Sequence, residues 1–543
     1  MEFQKRQISS LNRVFLDGEC EFTAINSAKV LKGERYSYQL AYKSDSRLNS
    51  KITLETTLGD AVSIRAVGNV PSELPCYPDK TEFSERAQAG LFPDVLFPVQ
   101  EDIVIKPGNW YSFWITAEIP DDIKAGDYSI TVKITDDEEG ELANETFTLT
   151  VIDAVLPEQT LINTEWFHSD CIADYYKVPV FSEEHWTLIE SFMKAFIRCG
   201  NNMILTPVFT PPLDTNIGGE RTTVQLVDVK KNGDSYTFNF DKFRRWVKLA
   251  LACGIKYFEI SHLFSQWGAF AAPKVMADVD GEYKRIFGWE TEAAGEEYSG
   301  FLHTFLPELI TVIRELGIEN VTYFHVSDEP SEEQIDSYTK AKDVIVDLLK
   351  DFPMIDALSD YEFYENGLIK QPVPATSSID EFIEKGFENR WTYYCCGQGG
   401  DLSNRFFGMP LSATKILGAQ LYVHDIKGFL QWGFNFYNSA KSLRHINPYE
   451  VTDADSAFPS GDAFLVYPHD DGAIMSVRGE IIFDALQEMR ALQLLESLIG
   501  KEKVLAALAE NFGEIRFRSY PRGAENMLAL SGFIKEMISS TVG

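Results

Sequence analysis

Two adjacent carboxylates, Asp328 and Glu329, close the stretch Val-Thr-Tyr-Phe-His-Val-Ser-Asp-Glu-Pro at residues 321–330. An apolar run, Val321 to Val326, precedes them, and Pro330 follows. Neighbouring acidic side chains at the end of a buried strand are a candidate pair for general acid and base work. A plainer reading competes, because an Asp or Glu just before a helix is stabilised by the helix dipole without any catalytic duty. Pro330 ends the run, and Ser331 with Gln334 has the spacing of a capping box that starts the next helix.

Other expected strand ends carry residues of a matching kind. They are Trp166 and His168, Gln266 and Trp267, Asp360 and Tyr361, Tyr393 and Tyr394, and Trp432, Asn435 and Tyr437. Flat rings stack on the apolar face of a pyranose, and forked amides and carboxylates take its hydroxyls. Any one of these aromatics would pass for core; it is their convergence at strand ends that points to a site.

The elements that would bring them together follow from periodicity. Up to about residue 155 the chain alternates with a period of two, as in Tyr36, Tyr38, Leu40 and Tyr42, then Tyr128, Ile130, Val132 and Ile134, then Phe147, Leu149 and Val151. Turn formers separate the runs, among them Lys106 to Asn109 and Asp136 to Gly140. This predicts a β-sandwich over residues 1–155, with Val155-Leu156-Pro157 as its exit. Beyond it, strands alternate with helical repeats: Phe243, Trp246, Val247 and Ala250 share a helical face, Gly254 stops it, and Tyr257 to Ile260 follows as a strand. The next helix carries Leu302, Phe305, Leu309, Ile313 and Leu316, with Pro307 expected to bend it.

Eight strands are predicted: Leu161–Trp166, Asn202–Thr206, Tyr257–Ile260, Val321–Val326, Pro353–Leu358, Val373–Ser377, Trp391–Cys395 and Phe429–Gly433. The fold class is therefore α/β, a (β/α)8 barrel over residues 156–495. A hairpin turning at Asn232-Gly233 is inserted after the second strand, and a helical tail occupies residues 496–543. On this topology Asp328 and Glu329 lie at the C-terminal end of strand four, the face on which barrel enzymes carry their chemistry.

Composition narrows the partners. With 82 acidic against 49 basic residues, a formal charge of -33 and no Lys/Arg cluster, nucleic acid and anionic membrane surfaces are poor partners. No apolar run is long enough for a membrane span and no signal peptide is visible, so a cytoplasmic location is expected. The cysteines number seven, an odd count, and Cys395-Cys396 are neighbours, which points to free thiols. No Cys/His set has metal-ligand spacing, so no metal or cofactor is expected, and oligomeric state is not legible.

Several short motifs carry a resemblance. Ser327-Asp328-Glu329-Pro330, the run Gly461 to Pro468 ahead of Ser476-Val477-Arg478-Gly479-Glu480, Gly428 to Gly433, and Gly90 to Leu96 in the first region together resemble glycoside hydrolase family 123. That family comprises β-N-acetylgalactosaminidases and overlaps a wider group of barrel proteins with a shared C-terminal pattern. The resemblance spans nearly the whole chain and implies a retaining enzyme that removes terminal β-linked N-acetylgalactosamine from an oligosaccharide or glycoconjugate.

Adjacent carboxylates cannot easily straddle a sugar as the facing pair of a double-displacement enzyme does. Substrate-assisted cleavage removes that difficulty, because the 2-acetamido oxygen attacks the anomeric carbon and forms an oxazolinium ion. The resemblance then implies that Asp328 holds the acetamido N–H while Glu329 protonates the leaving oxygen and later activates water. A like charge beside Glu329 is expected to raise its pKa toward that task. Tyr394 or Tyr361 is the candidate donor to the acetamido carbonyl, and Trp432 or Trp267 the wall around its methyl. Two readings compete: a double-displacement glycosidase with Glu329 as acid and Asp360, Glu362 or Glu165 as nucleophile, and a non-catalytic carbohydrate-binding protein.

Overall fold

The computed structural model describes residues 1–329 and 332–542. Ten strands between Phe3 and Val155 make two five-stranded sheets. One runs, in spatial order, Phe3–Ser9, Arg35–Ser44, Tyr111–Glu118, Val62–Ser72 and Gly90–Pro98, antiparallel throughout. The other runs Ser27–Lys32, Gly140–Val155, Gly126–Asp136, Leu48–Thr56 and Asp102–Ile105, with its first pair parallel.

The period of two does its expected work here. Tyr38, Leu40 and Tyr42 from one sheet meet Ile130, Val132, Phe147 and Leu149 from the other in a single buried cluster. The acidic turn at residues 136–140 closes because the Asp136 carboxylate accepts from the amides of Glu138 and Glu139 at 3.0 and 3.2 Å, while Gly140 takes φ 81°.

From residue 162 the strands become parallel. We label them β1 (Ile162–Glu165), β2 (Met203–Thr206), β3 (Tyr257–Ile260), β4 (Thr322–Tyr323), β5 (Ile355–Ala357), β6 (Gln371–Val373), β7 (Trp391–Tyr393) and β8 (Gly428–Gln431). Six of them form one sheet in the order β4-β3-β2-β1-β8-β7, a half-barrel, and β5 and β6 form a separate parallel pair. Single parallel bridges lie at both junctions, Phe324 with Met354 and Ala375 with Tyr393.

Helices Glu183–Arg198, Asp241–Cys253 and Glu296–Glu315 cover the first four strands, and Gly254 ends the second of them at φ 99°. Phe243, Trp246, Val247 and Ala250 are fully buried on the predicted face, and Pro307 sits inside a single helix.

Two expectations change, and a third falls outside the described residues. Strand four is shorter than Val321–Val326, because a 3-10 turn takes Glu319–Val321 and the chain leaves the sheet after Tyr323. The hairpin Asp228–Asn232 and Ser235–Asn239 is present, but it joins a second pair, Val275–Val279 and Glu282–Phe287, into a four-stranded sheet that the sequence reading missed. The capping box depends on Pro330 and Ser331, which lie outside the described residues.

Three helices, Val477–Ile499, Lys501–Phe512 and Ala524–Val542, close the chain. The last lies back on the first region, where Lys535 pairs with Glu34 in a buried contact. A second seam is built around Arg478, whose guanidinium grips Asp94 through Nε and Nη2 at 3.0 and 2.9 Å and donates to the carbonyls of Gly461 and Phe464. Glu480, two residues on, faces Arg65, Arg198 and Arg35. Among the described residues no helix is long and apolar enough to cross a membrane.

Candidate active site

A cavity of about 220 Å³ opens at the C-terminal ends of the parallel strands, and Asp328 and Glu329 stand on its wall. Another cavity, about 260 Å³, lies between the first region and the C-terminal helices. Its charged side chains neutralise one another, Lys415 with Asp484 and Glu488, and Lys535 with Glu34. The smaller one holds the uncompensated carboxylates, so chemistry selects it.

Leaving β4 early is what presents the pair. The Trp267 amide donates to the Asp328 carbonyl at 2.9 Å, joining the loops after β3 and β4. Glu329 takes φ 41° and Trp267 φ 56°, both left-handed for residues with a Cβ. Such backbone strain costs of the order of 1–3 kcal/mol and concentrates at working sites. From β7, Tyr393 donates its hydroxyl to Glu329 Oε1 at 2.5 Å.

Beneath the pair lies a fully buried charge cluster. His325 is bonded through Nε2 to Glu259, and its Nδ1 is 3.4 Å from Asp356. Glu259 also accepts from Trp166 Nε1 and Thr164 Oγ1, both at 2.8 Å. Asp356 accepts from the Tyr338 hydroxyl at 2.6 Å and from the amides of Val326 and Ser327. Burial alone would lower the His325 pKa, but Glu259 and Asp356 override it and hold the ring protonated, with a pKa of about 10. His262 stacks on it at 4.2 Å and is kept neutral by burial and by that neighbouring charge.

The Asp328 carboxyl is pushed well above the ordinary range, by burial first and by the Glu329 charge second, with the His325 cation opposing. Asp328 is half-buried and Glu329 exposed, and desolvation acts on the more enclosed group.

The remaining expected residues divide. Trp166, Gln266, Trp267, Tyr393 and Trp432 line the cavity. Trp432 is held by its Nε1–H, which donates to Asp462 Oδ2 at 2.9 Å. Burial raises the pKa of that carboxyl to about 7, against the opposing charge of Arg405 and the bonds from Trp432 and Gln431. Gln266 turns its amide away from the cavity contents: Oε1 accepts from the Asp214 amide at 2.7 Å and Nε2 donates to the Thr215 carbonyl at 3.3 Å.

Six others stand off the lining. His168 bonds the Trp432 carbonyl and the Arg221 guanidinium, and burial with Arg221's charge lowers its pKa to about 3. Asn435 spends its amide on the backbone of His168, and the Tyr437 hydroxyl donates to the Val466 carbonyl. Asp360 caps the helix Tyr361–Glu365 by accepting from the Glu362 amide. Tyr361 packs on Phe382, and Tyr394 is buried against Phe429. Glu165, one of the alternative nucleophiles, is sealed in an ion pair with Arg405 at 2.9 Å.

Sequence reasoning missed Asp214, Phe458, Cys395 and Cys396 on the wall. All seven cysteines are unpaired. Among the described residues no group of three or more His, Cys, Asp or Glu side chains is arranged to hold a metal ion.

Comparison with known proteins follows the same lines. No curated protein matches the chain. A family 123 glycoside hydrolase from Clostridium perfringens, studied for glycolipid glycan hydrolysis, superposes with a TM-score of 0.74 at 18% identity, covering 99% of this chain and 98% of that one. A β-glucuronidase from Parabacteroides merdae reaches a TM-score of only 0.28 at 9% identity, over 85% of this chain and 49% of that one, and carries no argument. The profile of the Glycoside hydrolase 123 catalytic domain matches residues 166–495, from the tryptophan that follows β1 into the helix Val477–Ile499. With the carboxylate pair on the cavity wall inside that span, the chain belongs to glycoside hydrolase family 123.

Proposed function

We propose that this protein removes terminal β-linked N-acetylgalactosamine from a glycan, with retention, by substrate-assisted catalysis. The observation that carries the reading is the fate of the other carboxylates. Of the carboxylates a double-displacement enzyme would call on, Asp360 caps a helix, Glu165 is locked to Arg405, and neither they nor Glu362 line the cavity, whereas Asp328 and Glu329 line it side by side, with Asp214 from the loop after β2 as the third carboxylate on its wall. A nucleophile supplied by the substrate fits a site so built.

The pKa direction is consistent with the assigned roles once the sugar is considered. In the free protein burial and the neighbouring Glu329 charge push the Asp328 pKa up. An acetamido N–H donating to Asp328 stabilises its charged form and lowers its pKa. Glu329 is the acid assigned to the leaving oxygen, and the ionised Asp328 faces the positive charge that develops on the acetamido group. Trp267 and Trp432 supply aromatic walls. Tyr361 and Tyr394 are committed to the core, which leaves Tyr393 as the hydroxyl at the site.

The fold expected from the sequence belongs to the same proposal. The bridges at Phe324–Met354 and Ala375–Tyr393 support reading the half-barrel and the β5–β6 pair as one (β/α)8 barrel over residues 156–495. A β-sandwich over 1–155 precedes it and a helical tail over 496–543 follows. The glycolipid glycans named for the Clostridium perfringens relative suggest glycoconjugates as the substrate class.

The test compares p-nitrophenyl β-GalNAc, β-GlcNAc and β-galactoside. Cleavage of the first, little or none of the third and strong inhibition by a GalNAc-derived thiazoline are expected. Equal turnover of the galactoside would end the reading.

A further inference from the structure

We infer that Asp214 is a substrate-binding residue, its carboxylate accepting a hydrogen bond from a ring hydroxyl of the terminal sugar. The inference rests on the glycosidase reading above and adds to it a residue that neither the motifs nor the family match assigns.

Asp214 follows β2 in the stretch Thr-Pro-Pro-Leu-Asp, and it lines the same cavity as Asp328 and Glu329. Its backbone lies in the left-handed region at φ 39°, uncommon for a residue with a Cβ although Asp takes it more readily than most. Three contacts hold it there. Gln266 Oε1 accepts from its amide at 2.7 Å, the Ser442 hydroxyl donates to its carbonyl at 2.7 Å, and the Lys441 amide donates to its Oδ2 at 2.8 Å.

Lys441 and Ser442 are themselves left-handed, at φ 59° and 52°. The pairing is reciprocal, since the Asn216 amide donates to the Lys441 carbonyl at 2.9 Å. Loops from opposite flanks of β1 therefore spend strained backbone and a buried glutamine amide on fixing one carboxylate.

Helix capping does not explain this arrangement, because Lys441 and Ser442 form one short irregular turn. Nor does charge pairing: among the described residues the carboxylate meets that single amide, through Oδ2, and no cation partners it within ion-pair distance. An aspartate fixed this way, with an oxygen left over at a cavity that also holds two catalytic carboxylates, is suited to a neutral donor. A second anion would be repelled. A sugar hydroxyl is such a donor, and a charged acceptor gives it a stronger bond than a neutral one would. Gln266 is then a positioning residue for Asp214, where the sequence reading made it a direct sugar ligand.

The experiment uses the full-length protein, wild type and Asp214→Asn, with p-nitrophenyl β-GalNAc and its 3-deoxy, 4-deoxy and 6-deoxy analogues. Wild type is expected to lose about tenfold or more in kcat/KM on one analogue, since a site built to bond a hydroxyl rejects the molecule lacking it. Asp214→Asn is expected to lose a similar factor on the parent, mainly through KM, and less than about twofold further on that analogue.

An equal loss on all four substrates would mean a structural prop or a nucleophile and would overturn the inference. So would a wild type indifferent to all three hydroxyls, a result that needs no variant to fold. Asp214→Ser, which keeps an acceptor for the Lys441 amide, must reproduce the Asn pattern. A wild type inert toward the parent glycoside would overturn the activity assignment and this inference together, whereas an active enzyme with a flat hydroxyl series overturns this one alone.

Discussion

Two buried charge clusters in this molecule are built with opposite balance. At the seam between the first region and the helix Val477–Ile499, cations prevail: Arg478 grips Asp94, and three guanidiniums surround Glu480. Burial alone would raise the Glu480 pKa, but those guanidiniums drive it down to about 2. Beneath the cavity the count reverses, with one imidazolium between Glu259 and Asp356 and more carboxylates above it. There the pKa of Asp328 moves up. A cluster with surplus cations locks its anions and holds parts together, whereas one with surplus anions keeps a carboxyl near its proton and favours a positive charge arriving from outside.

The largest effect that tests this contrast should come from the reactive side. Glu329→Gln is expected to lower kcat/KM by roughly 10²–10⁴-fold on glycosides with poor leaving groups and by much less on nitrophenyl ones, because the proposed proton donor is lost. A leaving-group series on both proteins measures it.

At the seam, Arg478→Met strands Asp94 in the interior and is expected to cost about 3–5 kcal/mol in denaturant unfolding, with kcat per folded molecule retained. A stable but inactive Arg478→Met would dissolve the distinction between the two clusters.

Removing the floor's cation should show in the pH profile. His325 opposes the elevation of the Asp328 pKa, so His325→Gln raises that pKa further. In the proposed mechanism Asp328 works ionised, so the acidic limb of kcat/KM is expected to move to higher pH. A limb that stays put, or moves down, contradicts the role.

Asp462 gives the smallest expected change. Its folded-state pKa of about 7 exceeds the ordinary value, so wild-type stability falls as pH rises from about 4 to 7 and is flat on this account above that. Asp462→Asn keeps an acceptor for Trp432 and lacks the slope, which paired unfolding curves across that range would show.

Much of this was readable in the residues. The alternating runs gave the paired sheets, and the apolar run ahead of Asp328 placed the pair at a strand end. The family motifs proved to be of two kinds. Gly90 to Leu96, Gly461 to Pro468 and Ser476 to Glu480 meet at the seam through Asp94, Tyr467 and Arg478, while Ser327-Asp328-Glu329 and the run Gly428 to Gly433, through Leu430 and Trp432, meet at the cavity.

The errors have physical causes. Tyr393 is the last residue of β7 and lines the cavity, whereas Tyr394, the first residue beyond the strand, is buried against Phe429. His168, Asn435 and Tyr437 carry suitable groups, but the loops around them consume every bond those groups were expected to offer a sugar. Asp214 sits in an aperiodic Pro-rich loop, and its position depends on Gln266 and Lys441, far away in the chain. His325 reads as one more strand residue until Glu259 and Asp356 are seen on either side.

The central claim is that the sugar's own amide attacks while the anionic pocket steadies the cation it becomes. The direct measurement is kcat/KM for p-nitrophenyl β-glycosides bearing acetyl, fluoroacetyl, difluoroacetyl and trifluoroacetyl groups on the 2-amine. Each fluorine weakens the amide oxygen as a nucleophile, so a steep monotonic fall, about tenfold or more from first to last, is predicted. Rates independent of fluorination would mean that the oxygen takes no part in the attack, and the account would be wrong.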